Sequence, residues 1–269
     1  MPNVAVLTND LQYEFTYKIT TDQQELECKL KKFNTFLDGI RAAGQTVIHL
    51  QLIHDPNDPS VQRRYRNRAA GIPALRDIPE QQFEIFNKMV VRKINAPITT
   101  SMGRLFDGIS ALMGICSKVE YEAQAAIEME ALLQRDFSMA KPFKYAINET
   151  DGCLEVDYRP LVNELVRLLQ TQIYNLSELS RRFHSTIVDI IEAVCQRLVD
   201  RFEVKQIVLS GGVFCNEFIL INALNCLELR GFKSYCHQLV PTNDGGISLG
   251  QVVVAAARIN QEALMYDGE

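Results

Sequence analysis

Gln206-Ile-Val-Leu-Ser-Gly-Gly-Val-Phe-Cys-Asn216 and, further on, Val240-Pro-Thr-Asn-Asp-Gly-Gly-Ile-Ser-Leu-Gly-Gln251 decide how this chain folds. Ile207-Val208-Leu209 is too short and too rich in β-branched residues for a helix. It breaks at Gly211-Gly212, ahead of Glu217 to Leu229, whose spacing predicts a helix. The second half repeats the arrangement, with Gly245-Gly246 before a helix expected from Ile247 to Arg258. A glycine pair in such a turn lets the backbone approach a ligand and offers N–H groups at a helix N-terminus, which suits a phosphate. One such turn is ordinarily only a tight connection, but two in succession favour a nucleotide site with the phosphates against Gly211, Gly212, Gly245 and Gly246. Asp244, between Asn243 and the second pair, reads either as a contact for a divalent metal or a hydroxyl, or as a plain helix cap.

Leu209 to Asn216 and Asn243 to Gln251 resemble the two nucleotide-site motifs of the hydrogenase-maturation carbamoyltransferases (HypF). The likeness continues upstream through Arg181-Arg-Phe-His184, Asp157-Tyr-Arg-Pro160, Tyr121 to Glu130 and Ser101-Met-Gly-Arg-Leu-Phe-Asp107, in unbroken order from about Pro79 to Asn260. It implies an α/β fold, a ribonuclease-H or actin-like ATPase lobe with a helical insertion. It adds Ser210, Asn216 and Glu122 to the nucleotide-binding set, with Glu122 near the sugar, and places Asp244 at a metal. Where that family usually carries glycine, Ala123 follows Glu122. The family makes a carbamoyl-adenylate from carbamoyl phosphate and ATP, then passes the carbamoyl group to a cysteine of a hydrogenase-maturation acceptor protein. Only the later part of its catalytic domain is matched. The first lobe, with its paired metal-binding histidines, has no counterpart in these residues.

A formal net charge of -5 and 47% hydrophobic residues over 269 positions describe a globular chain with ample core material. The acidic balance argues against nucleic acid or an acidic membrane as the main partner. No leader-like opening and no apolar run of membrane-spanning length is apparent, so a cytoplasmic location is expected. Seven cysteines at no metal-knuckle spacing read as reduced thiols. Cys215, at the opening of a helix, is the one whose pKa such a position can lower. The four histidines show no ligand spacing, and His184, on a helix beside two arginines, reads as a packed or capping group. Glu128 and Glu130 read as solvated face residues.

Residues 1–55 read as a β-α-β unit: strands at Val4 to Thr8 and Thr46 to Ile53 around a helix from Glu25 to Ala43. Val6 to Phe15 and Gln45 to Leu50 resemble the start of the isochorismatase-like cysteine hydrolases, with Asp10 at the position of their catalytic acid. Asp10 reads equally as a capping carboxylate. Pro56, Pro59, an arginine-rich stretch and Pro73 mark a linker over 56–78, residues 79–260 form the carbamoyltransferase-like lobe, and 261–269 a tail. Within the lobe, helices are expected at Glu80 to Arg92, Met102 to Met113 and Val119 to Leu133, then a hairpin around Asp151-Gly152 and two long helices from near Pro160 and Leu176. Three functions follow: a carbamoyltransferase-related enzyme, an assembly protein that keeps the nucleotide lobe without chemistry, and a cysteine hydrolase resting on Asp10. Because a lone lobe leaves an apolar edge uncovered, a second copy or a second chain is expected as partner.

Overall fold

The core is built around one long helix, and its sequence shows why. From Leu176 to Phe202, apolar residues recur every three or four positions, so Leu179, Phe183, Ile187, Ile191, Val194 and Leu198 fall inward and are buried. Asn175 starts the helix, its Oδ1 accepting the Glu178 N–H at 3.2 Å. The structure, a computed structural model, describes residues 4–8, 46–49, 51–52, 72, 80–92, 94, 96, 99–150, 153–202 and 206–266. In chain order these hold β1 (Val4–Thr8), β2 (Thr46–His49), β3 (Gln51–Leu52), α1 (Glu80–Arg92), α2 (Met102–Met113) and α3 (Gln124–Ala131). Then come β4 (Ala146–Thr150), β5 (Cys153–Asp157), α4 (Arg159–Gln170), α5 (Leu176–Phe202), β6 (Gln206–Ser210), α6 (Glu217–Leu229), β7 (Lys233–Cys236) and α7 (Ile247–Tyr266).

The expected helix at Glu25 to Ala43, Asp10, and nearly all of the 56–78 linker lie outside the described residues. The helix expected from Val119 is shorter, opening at Gln124 because Ala123 before it sits at φ 60° and ψ 11°.

Two sheets flank the helices. The first has the order β2-β1-β6-β7 and is parallel throughout; the second has the order β3-β5-β4, with β4 and β5 antiparallel. The segment expected to stand apart as residues 1–55 therefore contributes strands to both sheets. β1 pairs with β6 along its whole length, Val4 opposite Gln206 and Thr8 opposite Ser210. Ile207 and Leu209 are buried while Gln206, Val208 and Ser210 are half-buried, so only one face of β6 is fully packed.

From β1 the order steps outward to β2, and from β6 outward to β7 on the other side. The reversal between β1 and β6 is where open α/β sheets place a ligand crevice, outside the carboxyl ends of the strands. Thr8 and Ser210 are the last residues of those two strands. α4 and α2 close the core from other directions; Leu161, Leu165 and Leu169, four apart, are fully buried. Truncating any one to alanine costs roughly 2–5 kcal/mol.

Candidate functional site

Leaving β6 at Ser210, the chain turns at Gly211 with φ 116° and ψ 161°, a setting open in practice only to glycine, and winds through a 3-10 turn, Gly212–Cys215, into α6. The loop after β7 returns beside it. The Gly211 N–H is shared between the Thr242 carbonyl and Thr242 Oγ1, both at 3.1 Å, and the Thr242 hydroxyl donates back to the Gly211 carbonyl at 3.1 Å. Thr242 thus clamps the two glycine turns, far apart in sequence, into one structure at the carboxyl edge of the sheet. Ser210 Oγ lies 2.9 Å from Nε2 of His237, one residue beyond β7.

Asn243 shapes the second turn: its Oδ1 accepts from the Gly245 N–H at 3.1 Å and its carbonyl accepts from the Gly246 N–H at 3.0 Å. A Cβ on Gly246 would stand 2.9 Å from the Pro241 carbonyl oxygen and 3.0 Å from Val240 Cγ1, so the loop's own packing demands that glycine. Asp244 is exposed at the start of the 3-10 turn Asp244–Gly246. Among the described residues no three His, Cys, Asp or Glu side chains converge on a metal position.

The sequence leaves helix N–H groups free for a phosphate; the structure corrects that for α6. Asn216 Oδ1 accepts from the Ile219 N–H at 3.0 Å, and Glu130 Oε1, reaching across from α3, accepts from Glu217 at 2.6 Å and Phe218 at 3.4 Å. Gly211, Gly245 and Gly246 also donate within the protein. The N–H groups of Gly212 and Val213 have no acceptor among the described residues. Glu130, read as a solvated face residue, is half-buried, and that burial raises its carboxyl above the usual range against the opposing pull of the two N–H donors. No spacing in the sequence links residues 130 and 217, so this cap was not legible there.

Arg181-Arg-Phe-His184 proves to be a hub. Arg181 donates to the Asp136 and Ser138 carbonyls and fixes the loop after α3; Arg182 lies 4.0 Å over the Phe143 ring and pairs with Glu164. Phe183 enters the core. His184 is fully buried, its Nδ1 2.8 Å from the Ser180 carbonyl and its Nε2 3.1 Å from Asn216 Nδ2. Burial holds its pKa down, to about 4. Asn216 is thereby engaged at both ends of its amide. Glu122 is exposed in the turn before α3, and no hydrogen bond among the described residues joins it to either glycine turn. Cys215 also departs from expectation: its thiol is pushed up, first by partial burial and then by the Glu130 carboxylate.

A parallel sheet with two clamped glycine turns at its carboxyl edge defines the class as a mixed α/β lobe. Residues 42–251 match the family model described as carbamoyltransferase, Kae1-like domain, second subdomain. The chain belongs to that HypF carbamoyltransferase family. It is 33% identical to the carbamoyltransferase HypF of Synechocystis over 158 residues, 59% of this chain and 20% of that protein. Against the probable carbamoyltransferase HypF of Methanocaldococcus jannaschii the identity is 30% over 177 residues, covering 65% and 22%. A carbamoyltransferase HypF homolog of Cupriavidus necator is 29% identical over 225 residues, 77% of this chain and 56% of that one. A crystal structure of full-length HypF in the phosphate- and nucleotide-bound form superposes with a TM-score of 0.61 at 33% identity, covering 68% of this chain and 24% of that one. The chain thus spans about a fifth of the length of the first two relatives. The hydrolase-like opening finds no support in these comparisons, and β2 and β3 already lie within the family match. No helix among the described residues is long and apolar enough to cross a membrane.

Proposed function

We propose that the chain is the nucleotide-binding lobe of a carbamoyl-transfer enzyme of [NiFe]-hydrogenase maturation, of the actin-like ATPase type. Its substrates are ATP and carbamoyl phosphate, and its acceptor is a cysteine of a maturation protein. The observation that carries this reading is the Thr242 clamp, which ties Gly211, at the carboxyl edge of the sheet, to the loop that carries Gly245-Gly246. The resemblance to a HypF solved in a phosphate- and nucleotide-bound form supports it.

In this reading Gly212 and Val213 supply N–H donors, and Ser210 with His237 forms a hydrogen-bonding wall for the nucleotide. Asp244 would hold a divalent cation. A single carboxylate fits an ion of the Mg²⁺ type, which keeps its waters and takes phosphate oxygens as further ligands. When bound, the cation offsets phosphate charge. Glu122 stands as a further candidate, near the nucleotide's sugar.

The lobe works with a second lobe that closes the cleft, because one lobe supplies only part of the contacts a transferring group needs. The exposed apolar surface of α7 supports that pairing: Val252 is 65% exposed and Val253 60%. The same surface favours a second reading, an assembly protein that binds nucleotide without chemistry. Calorimetric titration with ATP and Mg²⁺, followed by pyrophosphate release on adding carbamoyl phosphate, tests both. Binding with carbamoyl phosphate-dependent release is expected; binding without release leaves the assembly role, and no binding removes the nucleotide site.

A further inference from the structure

We infer that His184 is a positioning residue for the Gly211–Asn216 turn, acting through the amide of Asn216. Its geometry stands independently of the nucleotide reading; only its effect on ATP rests on it. The hydrogen bonds fix each group in turn. The Ser180 carbonyl, 2.8 Å from Nδ1, can only accept, so Nδ1 carries the proton. In a neutral imidazole that leaves the lone pair on Nε2, which takes the N–H of Asn216 Nδ2 at 3.1 Å. The amide is then oriented: with its nitrogen toward His184, its oxygen faces the Ile219 N–H and caps α6 at 3.0 Å.

The backbone of Asn216 closes the turn as well, its N–H donating to the Val213 carbonyl at 3.1 Å, while the Phe214 N–H donates to Gly211 at 3.0 Å. The imidazole cannot wander, because Phe106, Phe183 and Phe218 meet it edge-on at centroid distances of 5.4, 6.0 and 5.6 Å. Ser180 is pinned in turn, its hydroxyl donating to the Met129 carbonyl at 2.7 Å. A chain of hydrogen bonds therefore runs from α3 through α5 to the turn that carries Gly211 and Gly212. With an apolar residue at 184 the buried Asn216 Nδ2 would lose its acceptor, and the Ile219 N–H alone would hold the amide in its capping orientation.

The test uses the intact chain and three variants. Nitrogen-15 spectra of the wild-type ring should show the Nδ1–H tautomer. Asn216→Asp keeps an oxygen for the Ile219 cap but has no N–H for Nε2; His184→Phe keeps the ring volume and removes the acceptor. In both, hydrogen exchange of the Phe214, Asn216 and Ile219 amides should rise about tenfold, and ATP affinity should fall by a similar factor. His184→Gln, whose Oε1 can accept from Asn216, should restore most of the protection. An Nε2–H tautomer, or unchanged exchange in a folded Asn216→Asp protein, overturns the inference. Should His184→Phe fail to fold, Asn216→Asp decides. If the wild type binds no ATP, the nucleotide proposal fails while tautomer and exchange still judge the positioning role.

Discussion

His184 and Ala123 are side chains whose surroundings run against their ordinary preferences, and each makes a measurable difference. His184 titrates at about 4 in the folded chain because burial penalises the charged ring, whereas an unfolded histidine titrates near 6.5. Above pH 6.5 both states are neutral and the group contributes no pH dependence. Between 6.5 and 4 the unfolded chain holds the extra proton, so stability falls as pH falls, by roughly 3 kcal/mol in all, and levels off below 4. Urea unfolding of wild type and His184→Gln at several pH values from 7 to 4 checks this: wild type should lose stability relative to the variant as pH drops, and a constant difference would show that the ring charges freely in the folded state. Ala123, at φ 60° before α3, occupies the left-handed region that costs a residue with a Cβ about 1–2 kcal/mol. Ala123→Gly relieves that strain but adds unfolded-state entropy, so a net gain of up to about 1 kcal/mol is expected, seen as a rise in Tm. A lower Tm would mean that the methyl group packs favourably where it stands.

Among the elements, α6 shows most clearly what could and could not be read in advance. Its limits, Glu217 to Leu229, follow from apolar spacing, and Asn216 ahead of it is a local cap of the kind sequence reveals. Glu130 is different: its contact with Glu217 and Phe218 exists only because α3 and α6 pack together. Glu130→Ala should destabilise the chain by about 1 kcal/mol, whereas Glu130→Gln, which keeps an acceptor oxygen, should stay near wild type in urea unfolding. Equal losses in the two variants would assign the effect to charge rather than to capping. The clamp between Gly211 and Thr242 was hidden for the same reason, although both glycine pairs were evident. Gly212 remains the position at which the nucleotide proposal is most exposed to test. Gly212→Val adds a branched side chain where the ligand would approach, and ATP binding should be lost while the fold persists; an unchanged affinity removes the phosphate reading of this turn.

At the scale of the molecule, β1 and β2 complete the sheet that β6 and β7 begin, an arrangement that the proline- and arginine-rich stretch over 56–78 disguised. Strand runs are local and therefore legible; which strand lies beside which depends on contacts between residues two hundred positions apart, and no spacing encodes them. α7 raises the opposite question. A helix apolar on all sides is normally buried. Yet Ile247, Leu249, Val252, Val253 and Val254 are between 49% and 65% exposed, more than scattered surface residues would explain. If this face awaits a partner, the isolated chain should self-associate at micromolar concentration in sedimentation and bind an apolar dye. Val252→Glu with Val253→Glu should suppress both at little cost to stability, because neither residue is packed. Dye binding should fall severalfold while the urea midpoint moves by no more than surface substitutions usually cause, about 0.5 kcal/mol. A dye-silent wild-type monomer, or a double variant that unfolds, would show instead that α7 packs within its own chain and that no second surface is needed to cover it.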